Sequence, residues 1–197
     1  MKIEVLYPEI CCLFGDKANM RYFEMCLPQA EFIKTPVSEM PRFLTEDVDM
    51  VYFGSCSESN QERILSRLKD HKGRIEELIE KGVIFLMTGN AFEMMGNYIE
   101  KPDGEKIEAL GIIDFYAKRT IPKRNNSLFI GKFGETEIVG YTSRFSHSYG
   151  IKESDAFINV TKGYGSFIDA KTEGIKKNNL FGTYLHGPFL PKNPHFT

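Results

Sequence analysis

Hydrophobic positions in the first half of the chain fall into short blocks with amphipathic stretches between them. Ile3-Glu4-Val5-Leu6-Tyr7 reads as a first strand, Glu31-Phe32-Ile33-Lys34 as a short second, and Val48-Asp49-Met50-Val51-Tyr52-Phe53 as a third. Val83-Ile84-Phe85-Leu86-Met87-Thr88 reads as a fourth, buried strand. Met20, Phe23 and Leu27 recur at helical spacing after Lys17, with Asp16 in position to cap that helix and Pro28 to end it. From about Ser59 to Lys81, the residues Ile64, Leu65, Leu68, Ile75, Leu78 and Ile79 form an apolar stripe against a charged face. Lys72-Gly73 is placed to break this helix in two, and Gly82 to end it in the left-handed conformation. After the fourth strand the chain turns at Gly89, and Phe92, Met95 and Ile99 resume helical spacing. Successive strand-loop-helix units predict parallel strands joined by right-handed crossovers, an α/β fold.

The texture changes after Gly96. Lys101-Pro102-Asp103-Gly104 is a turn. Leu128-Phe129-Ile130-Gly131 and Thr136-Glu137-Ile138-Val139-Gly140-Tyr141 read as a hairpin with Phe133-Gly134-Glu135 at its tip. Ala156–Val160 and Ser166–Asp169 read as further short strands, and Leu180–Leu185 as the last, ending at His186-Gly187-Pro188. Neither repeat nor linker interrupts the chain, so one domain over residues 1–197 is expected.

Charge and cysteine usage narrow the classes. A net charge of −2 without basic clusters gives no footprint for nucleic acid. No run of apolar residues is long enough to span a membrane. Met1-Lys2-Ile3-Glu4-Val5 carries a charge inside its apolar run and lacks a cleavage pattern, so it is not read as a signal peptide. The spacing of Cys11, Cys12, Cys26 and Cys56 fits neither a zinc site nor a disulfide framework. A reduced, cytoplasmic protein without metal or cofactor is expected.

Four places could carry chemistry. The turn at Gly89 is where a sharp strand-to-helix junction exposes a nucleophile in many α/β enzymes, but glycine has no side chain to expose. His186 lies just past a strand end, where a base would stand. The loop Gly54-Ser55-Cys56-Ser57 offers backbone N–H groups after a strand, suited to an oxyanion or carboxylate. Its Cys56 is the only cysteine in such a loop; Cys11 and Cys12 read as packing residues. His71 lies on a charged helix and reads as solvated, and His147 receives no role. Asp16 and Glu93 read as caps before they read as catalysts.

Three motifs then resemble one family, the class I glutamine amidotransferase-like domains of the cobyric acid synthase type, and within it the GatD-type branch. Leu6-Tyr7-Pro8-Glu9 followed by Leu13, Gly15, Asp16 and Asn19 is similar to its N-terminal signature. Gly182-Thr183-Tyr184-Leu185-His186-Gly187-Pro188, continuing Leu190-Pro191-Lys192-Asn193-Pro194, is close to its histidine motif. Phe92-Glu93-Met94-Met95-Gly96 is similar to the segment after its nucleophile. The resemblance runs from Leu6 to Pro194. It implies a flavodoxin-like three-layer sandwich with a mostly parallel central sheet and short β-hairpins added in the second half. It also implies a glutaminase site serving a Mur-ligase-like or other ATP-dependent amidating synthetase.

The chain departs from that pattern where the chemistry is. The family's elbow carries Cys-Gly-Gly; here Gly89-Asn90-Ala91 stand in its place, and no cysteine lies between Cys56 and the C-terminus. The loop after the third strand carries Gly-Gly-Gly-Gln-Asp in the family and Gly54-Ser55-Cys56-Ser57-Glu58 here. The family's Gly-Phe-Glu-Asn-His segment corresponds loosely to Gly140–Phe145. No glutamate follows His186 at short spacing, leaving Glu58 and Glu93 as candidates for a third catalytic member by proximity alone. Two expectations follow. One is an amidotransferase-like subunit without cysteine-dependent glutaminase activity, binding a small amide or carboxylate at Gly54, Ser55, Ser57, Asn90 and Glu93. The other is an enzyme, either a glutaminase in which Cys56 attacks with His186 as base or a hydrolase of different mechanism in the same pocket.

Overall fold

The computed structural model describes residues 1–196. The four strands expected in the first half form β1 (Lys2–Leu6), β2 (Glu31–Thr35), β3 (Met50–Phe53) and β4 (Ile84–Thr88). They pair in parallel in the order β2-β1-β3-β4. Helix α1 (Lys17–Cys26) follows β1, and α2 (Glu58–Leu68) and α3 (Lys72–Glu80) follow β3. The break in the long helix comes earlier than Lys72-Gly73, at a 3₁₀ turn over Lys69–His71. Gly82 has φ +86°, the left-handed ending expected of it.

Two expectations are corrected near β4 and Asp16. No long helix follows Gly89. Gly89–Met95 is a 3₁₀ stretch, and Ile99 belongs to strand β5 (Tyr98–Glu100). The spacing misled because Ala91, Phe92, Glu93, Met94 and Met95 are all buried; the segment is enclosed on every side and has no solvent face to give a helical stripe. Asp16 makes no capping bond to α1; its carboxylate turns the other way, into the site described below.

In the second half, β6 (Lys106–Glu108) and β7 (Tyr116–Arg119) follow β5. The expected hairpin is β8 (Asn125–Phe133) and β9 (Thr136–Arg144), paired from Asn125↔Arg144 to Phe133↔Thr136. Next come β10 (Ser146–Tyr149), β11 (Ala156–Lys162), β12 (Thr172–Lys177) and β13 (Leu180–Thr183), then a short helix, α4 (Phe189–Lys192). The strand expected at Ser166–Asp169 is a turn, in which Ala170 N–H donates to Phe167 C=O at 3.1 Å. The strand lies just beyond it as β12, whose Thr172-Glu173-Gly174-Ile175-Lys176-Lys177 has too little apolar alternation to read as one. β10, β7, β5 and β6 make a separate four-stranded sheet.

The topology places the site. The main sheet runs β2-β1-β3-β4-β13-β12-β11-β8-β9. β13 returns from the far end of the sequence and pairs in parallel with β4, Thr183 opposite Thr88. The residues after these two strands, the histidine loop and the Gly89 turn, therefore emerge side by side at the carboxyl edge, where α/β sheets bind ligands. Alternate strand residues supply two cores. Leu6, Val51, Phe53, Phe85 and Met87 pack with Ile64, Leu65, Leu68, Ile75 and Leu78 of α2 and α3. Ile3, Val5, Met50, Tyr52 and Leu86 pack with Met20 and Phe23 of α1 and with Phe189 and Leu190 of α4. These are the three layers. The polar exception in β1, Glu4, is fully buried. It accepts bonds from the Thr35 hydroxyl at 2.5 Å and the Arg42 and Phe43 N–H groups at 2.7 and 2.8 Å, so it holds the β2–β3 connection.

Phe92 is the packing link between the Gly89 turn, the histidine loop and the second sheet. Its ring centroid lies 4.5 Å from that of Tyr184 and 5.9 Å from that of Phe115. Truncating such a ring at full burial leaves a cavity, so Phe92→Ala is expected to lower unfolding stability by about 3–5 kcal/mol, measured by urea denaturation. A loss below about 1 kcal/mol would show that the turn does not depend on this contact.

Candidate functional site

A buried carboxylate builds the floor of the site. Asp16 is wholly inaccessible. Its Oδ2 accepts the Ser55 N–H at 2.7 Å and the Thr88 hydroxyl at 2.7 Å, and its Oδ1 accepts from Asn19 Nδ2 at 3.3 Å. Asn19 also donates to the Tyr52 hydroxyl at 2.9 Å and accepts the Leu190 N–H at 2.8 Å. One carboxylate thus joins the ends of β3 and β4 to α1, and through Asn19 to α4. Burial pushes its pKa up, opposed by the bonds from Ser55 and Thr88.

Above this floor lies a pocket of about 200 Å³. Ser55, Cys56, Ser57, Gly89, Asn90 and His186 line it, so the structure brings these sequence candidates together. Gly54 and Glu93 do not line it. Gly89 has φ +61°, which glycine adopts without strain. A Cβ built on Gly89 would lie under 3.0 Å from Ser55 Cβ and 3.2 Å from Ser55 Cα. Asn90 Oδ1 accepts the Cys56 N–H at 3.1 Å and lies 3.7 Å from the Cys56 sulfur. Cys56 is buried, and the neighbouring Cys56 thiol together with burial pushes the Cys11 thiol pKa up. Among the described residues no hydrogen bond joins Cys56 to His186.

His186 is held by its backbone and by its ring. Its N–H donates to Tyr141 C=O at 3.0 Å. Its Nε2 accepts the Ser143 N–H at 3.0 Å, which fixes the ring as a neutral acceptor on that side. Phe14, in the left-handed region at φ +56°, lies over the ring with centroids 4.2 Å apart. Nδ1 is buried and has no partner among the described residues. Burial lowers the His186 pKa to about 4, and the nearby Arg144 charge adds to the shift. The ring is therefore neutral at pH 7, with the lone pair a base would use already engaged. Glu173 on β12 supports the loop from below: it accepts the Thr183 hydroxyl and the Tyr184 N–H, both at 2.7 Å, and burial raises its pKa to about 7.

Glu93 belongs to a different network. It is buried and accepts from Gln61 Nε2 at 2.8 Å, Tyr184 OH at 2.7 Å and the Ser146 hydroxyl. Gln61 Oε1 in turn accepts from Arg119 Nη2 at 3.0 Å. All of this is internal bonding between α2, the Gly89 segment, the histidine loop and the second sheet, so Glu93 braces these elements against one another. Glu58, the other candidate, stands at the pocket rim at the start of α2.

The pocket also contains residues that sequence reading left out: Leu13, Phe14, Arg124, Ser143, Arg144 and Phe145. Arg124 lies over the Phe145 ring at 4.0 Å and bonds the Ser143 hydroxyl at 3.2 Å. Arg144 is buried against the Tyr184 ring at 3.9 Å and donates to Gly165 C=O at 2.5 Å. Its Nε and Nη1 have no partner among the described residues, and burial lowers its pKa. The sequence signals near these residues were Leu13 in the N-terminal signature and the loose likeness at Gly140–Phe145. His147, without a role from sequence, packs beside Arg144, with 3.4 Å between Nδ1 and Nη2.

A mixed sheet with helices on both faces, a strand-end turn after β4 and a histidine directly after the neighbouring β13 define the class: a glutamine amidotransferase fold. The chain belongs to the CobB/CobQ-like glutamine amidotransferase domain family, whose model matches residues 2–194. It is 32% identical to the GatD subunit of the glutamine-hydrolysing lipid II isoglutaminyl synthase of Staphylococcus aureus strain N315. That match covers 82% of this chain and 65% of the S. aureus subunit, so this chain spans somewhat under two thirds of that relative's length. It is 26% identical to the GatD subunit of Streptococcus pneumoniae R6 over 98% of this chain and 76% of that one. Among solved structures, a glutamine amidotransferase from Thermotoga maritima superposes with a TM-score of 0.58 at 13% identity, covering 94% of this chain and 75% of that one. The glutaminase domain of Trypanosoma brucei CTPS with bound acivicin gives 0.50 at 9%, covering 94% and 85%. At such identities these two structures speak for the fold alone.

Two measurements test the site's construction. Asp16→Ala strands the Ser55 N–H, the Thr88 hydroxyl and the Asn19 amide in a dry interior, and is expected to lower stability by about 3 kcal/mol or more; a loss under about 1 kcal/mol would contradict the network. His186 is neutral in the folded chain and protonates near pH 6.5 when unfolded. As pH falls from about 6.5 toward 4 the unfolded state binds the extra proton, so the stability this ring confers is present above that window and lost through it. The stability of wild type relative to His186→Gln should therefore fall over that range, by at most ~3 kcal/mol. A difference independent of pH would show the ring to be solvated.

Proposed function

We propose that this chain is an amidotransferase-like subunit that does not carry out cysteine-dependent glutamine hydrolysis, and that it serves an ATP-dependent amidating synthetase of the Mur-ligase type. The observation that carries the reading is Gly89. Glutaminase chemistry of this family's kind needs a thiolate to attack the side-chain carboxamide and form an acyl-enzyme. Glycine offers no atom for that bond. Asn90 is not a nucleophile, and Thr88 spends its hydroxyl on Asp16. His186 is present, but Ser143 occupies its acceptor nitrogen. What remains is a shaped pocket with Arg124 and Arg144 in its wall, suited to binding a small carboxylate or amide rather than cutting it. The partner assignment rests on likeness to the GatD subunits, each named as part of a lipid II isoglutaminyl synthase.

A second reading keeps the chain as an enzyme with Cys56 as the attacking group. In its favour, Cys56 and His186 line the same pocket. Against it, the Cys56 sulfur is directed toward Asn90 Oδ1, and no base hydrogen-bonds it among the described residues. Ammonia release from glutamine separates the two. The purified chain, alone and co-expressed with a Mur-ligase-like synthetase, is expected to release none above a heat-treated control. Release that disappears in Cys56→Ala or His186→Ala would overturn the first reading and establish the second.

A further inference from the structure

Ser55 has a part in this site that goes beyond loop packing. It is 2% exposed, and three hydrogen bonds pin it. Its N–H donates to Asp16 at 2.7 Å, its Oγ donates to Leu13 C=O at 3.0 Å, and its C=O accepts the Leu13 N–H at 3.2 Å. Held in this way, its side chain projects at the Cα of Gly89. The three nearest heavy atoms to a Cβ placed on Gly89 all belong to Ser55: Cβ under 3.0 Å, Cα at 3.2 Å and Oγ at 3.5 Å. The obstacle is the base of a short side chain and its backbone, not the swinging end of a long one. A rotamer change moves Oγ but leaves Cβ and Cα where they are.

We infer that Ser55 closes the nucleophile position of this pocket, and that Ser55 and Gly89 form a matched pair in which only one of the two can carry a side chain. The elbow is therefore more than a site where a thiol is missing. Its space has been handed to the neighbouring strand-end loop, and Asp16, through the Ser55 N–H, keeps that loop in place. Restoring a cysteine at position 89 alone must displace Ser55, and with it the bonds to Asp16 and Leu13. Removing the Ser55 side chain first reopens the position. This deepens the reading of the chain as a subunit without cysteine-dependent hydrolysis, on which it rests: with Ser55 in place, a cysteine at position 89 would not by itself rebuild the elbow.

The test is a double-mutant cycle on the full chain, with Ser55→Gly, Gly89→Ala, Gly89→Cys and the two double variants. Gly89→Ala is expected to lower Tm by about 6 °C, from crowding plus the positive φ. Adding Ser55→Gly should return about half of that loss or more, since the Cβ clash is gone and only the φ penalty and the tight 3.2 Å approach to the residue-55 Cα remain. Failure of the single variant to fold while the double variant folds counts equally in favour. With cysteine at 89, iodoacetamide should alkylate the introduced thiol about tenfold faster in the double variant than in the single one, located by peptide mass. Additive Tm losses, equal alkylation rates, or failure of single and double variants alike would each overturn the pairing. Ammonia release by the unaltered protein would instead end the proposed function and leave this cycle readable, so the two failures are distinguishable.

Discussion

The carboxylate of Asp16, buried beneath the carboxyl ends of β3 and β4, is the constraint on which the site depends. A carboxylate without solvent survives only if protein donors replace the water it has lost. Here the donors come from the Ser55 backbone, Thr88 and Asn19. Each sits at the end of a different element, so satisfying the charge and assembling the strand ends are the same event. The network then spreads: Tyr52 bonds Asn19, and Asn19 holds the Leu190 N–H of α4. The helix after the histidine loop is thus tied to the first loop of the chain, and the pocket between them acquires a fixed floor.

Around that floor the framework of a glutamine amidotransferase is intact, and the turn after β4 carries glycine at position 89. Glu173 still supports Thr183 and Tyr184, and so the approach to His186. Glu93 braces the Gly89 segment against Gln61, Ser146 and Tyr184. These buried carboxylates hold segments of the site in position. The histidine they help to place is neutral, covered by Phe14 and bonded to a backbone N–H. Beside it stands a glycine whose side-chain space belongs to Ser55. Fold and family are retained because they rest on strand pairing and buried polar bonds, none of which requires a thiol.

Much of the architecture was legible in residue order. The parallel strands of the first half announced themselves as apolar blocks, and the β8–β9 hairpin as two such blocks around Gly134. Misreadings arose where burial was not one-sided. Phe92 and Met95 looked helical because their spacing fits one face of a helix, yet their neighbours Ala91, Glu93 and Met94 are equally enclosed. Glu173 hid β12 because a buried carboxylate breaks the apolar alternation by which strands are recognised. Asp16 read as a cap because a carboxylate before a helix does that locally; its real partners lie 39 and 72 residues away.

From the sequence alone came the family likeness, the histidine motif and the glycine at the elbow, since each is a matter of which residue follows which. The sequence also brought Cys56 and His186 forward as a possible pair. Only the tertiary structure could decide what each group faces. It put Gln61, Tyr184 and Ser146 around Glu93, the Ser143 N–H on His186, Arg124 and Arg144 in the pocket wall, and Ser55 against Gly89. These are contacts between segments that the crossovers of the sheet bring together, and their chemistry depends on distances of a few ångströms that no local pattern encodes.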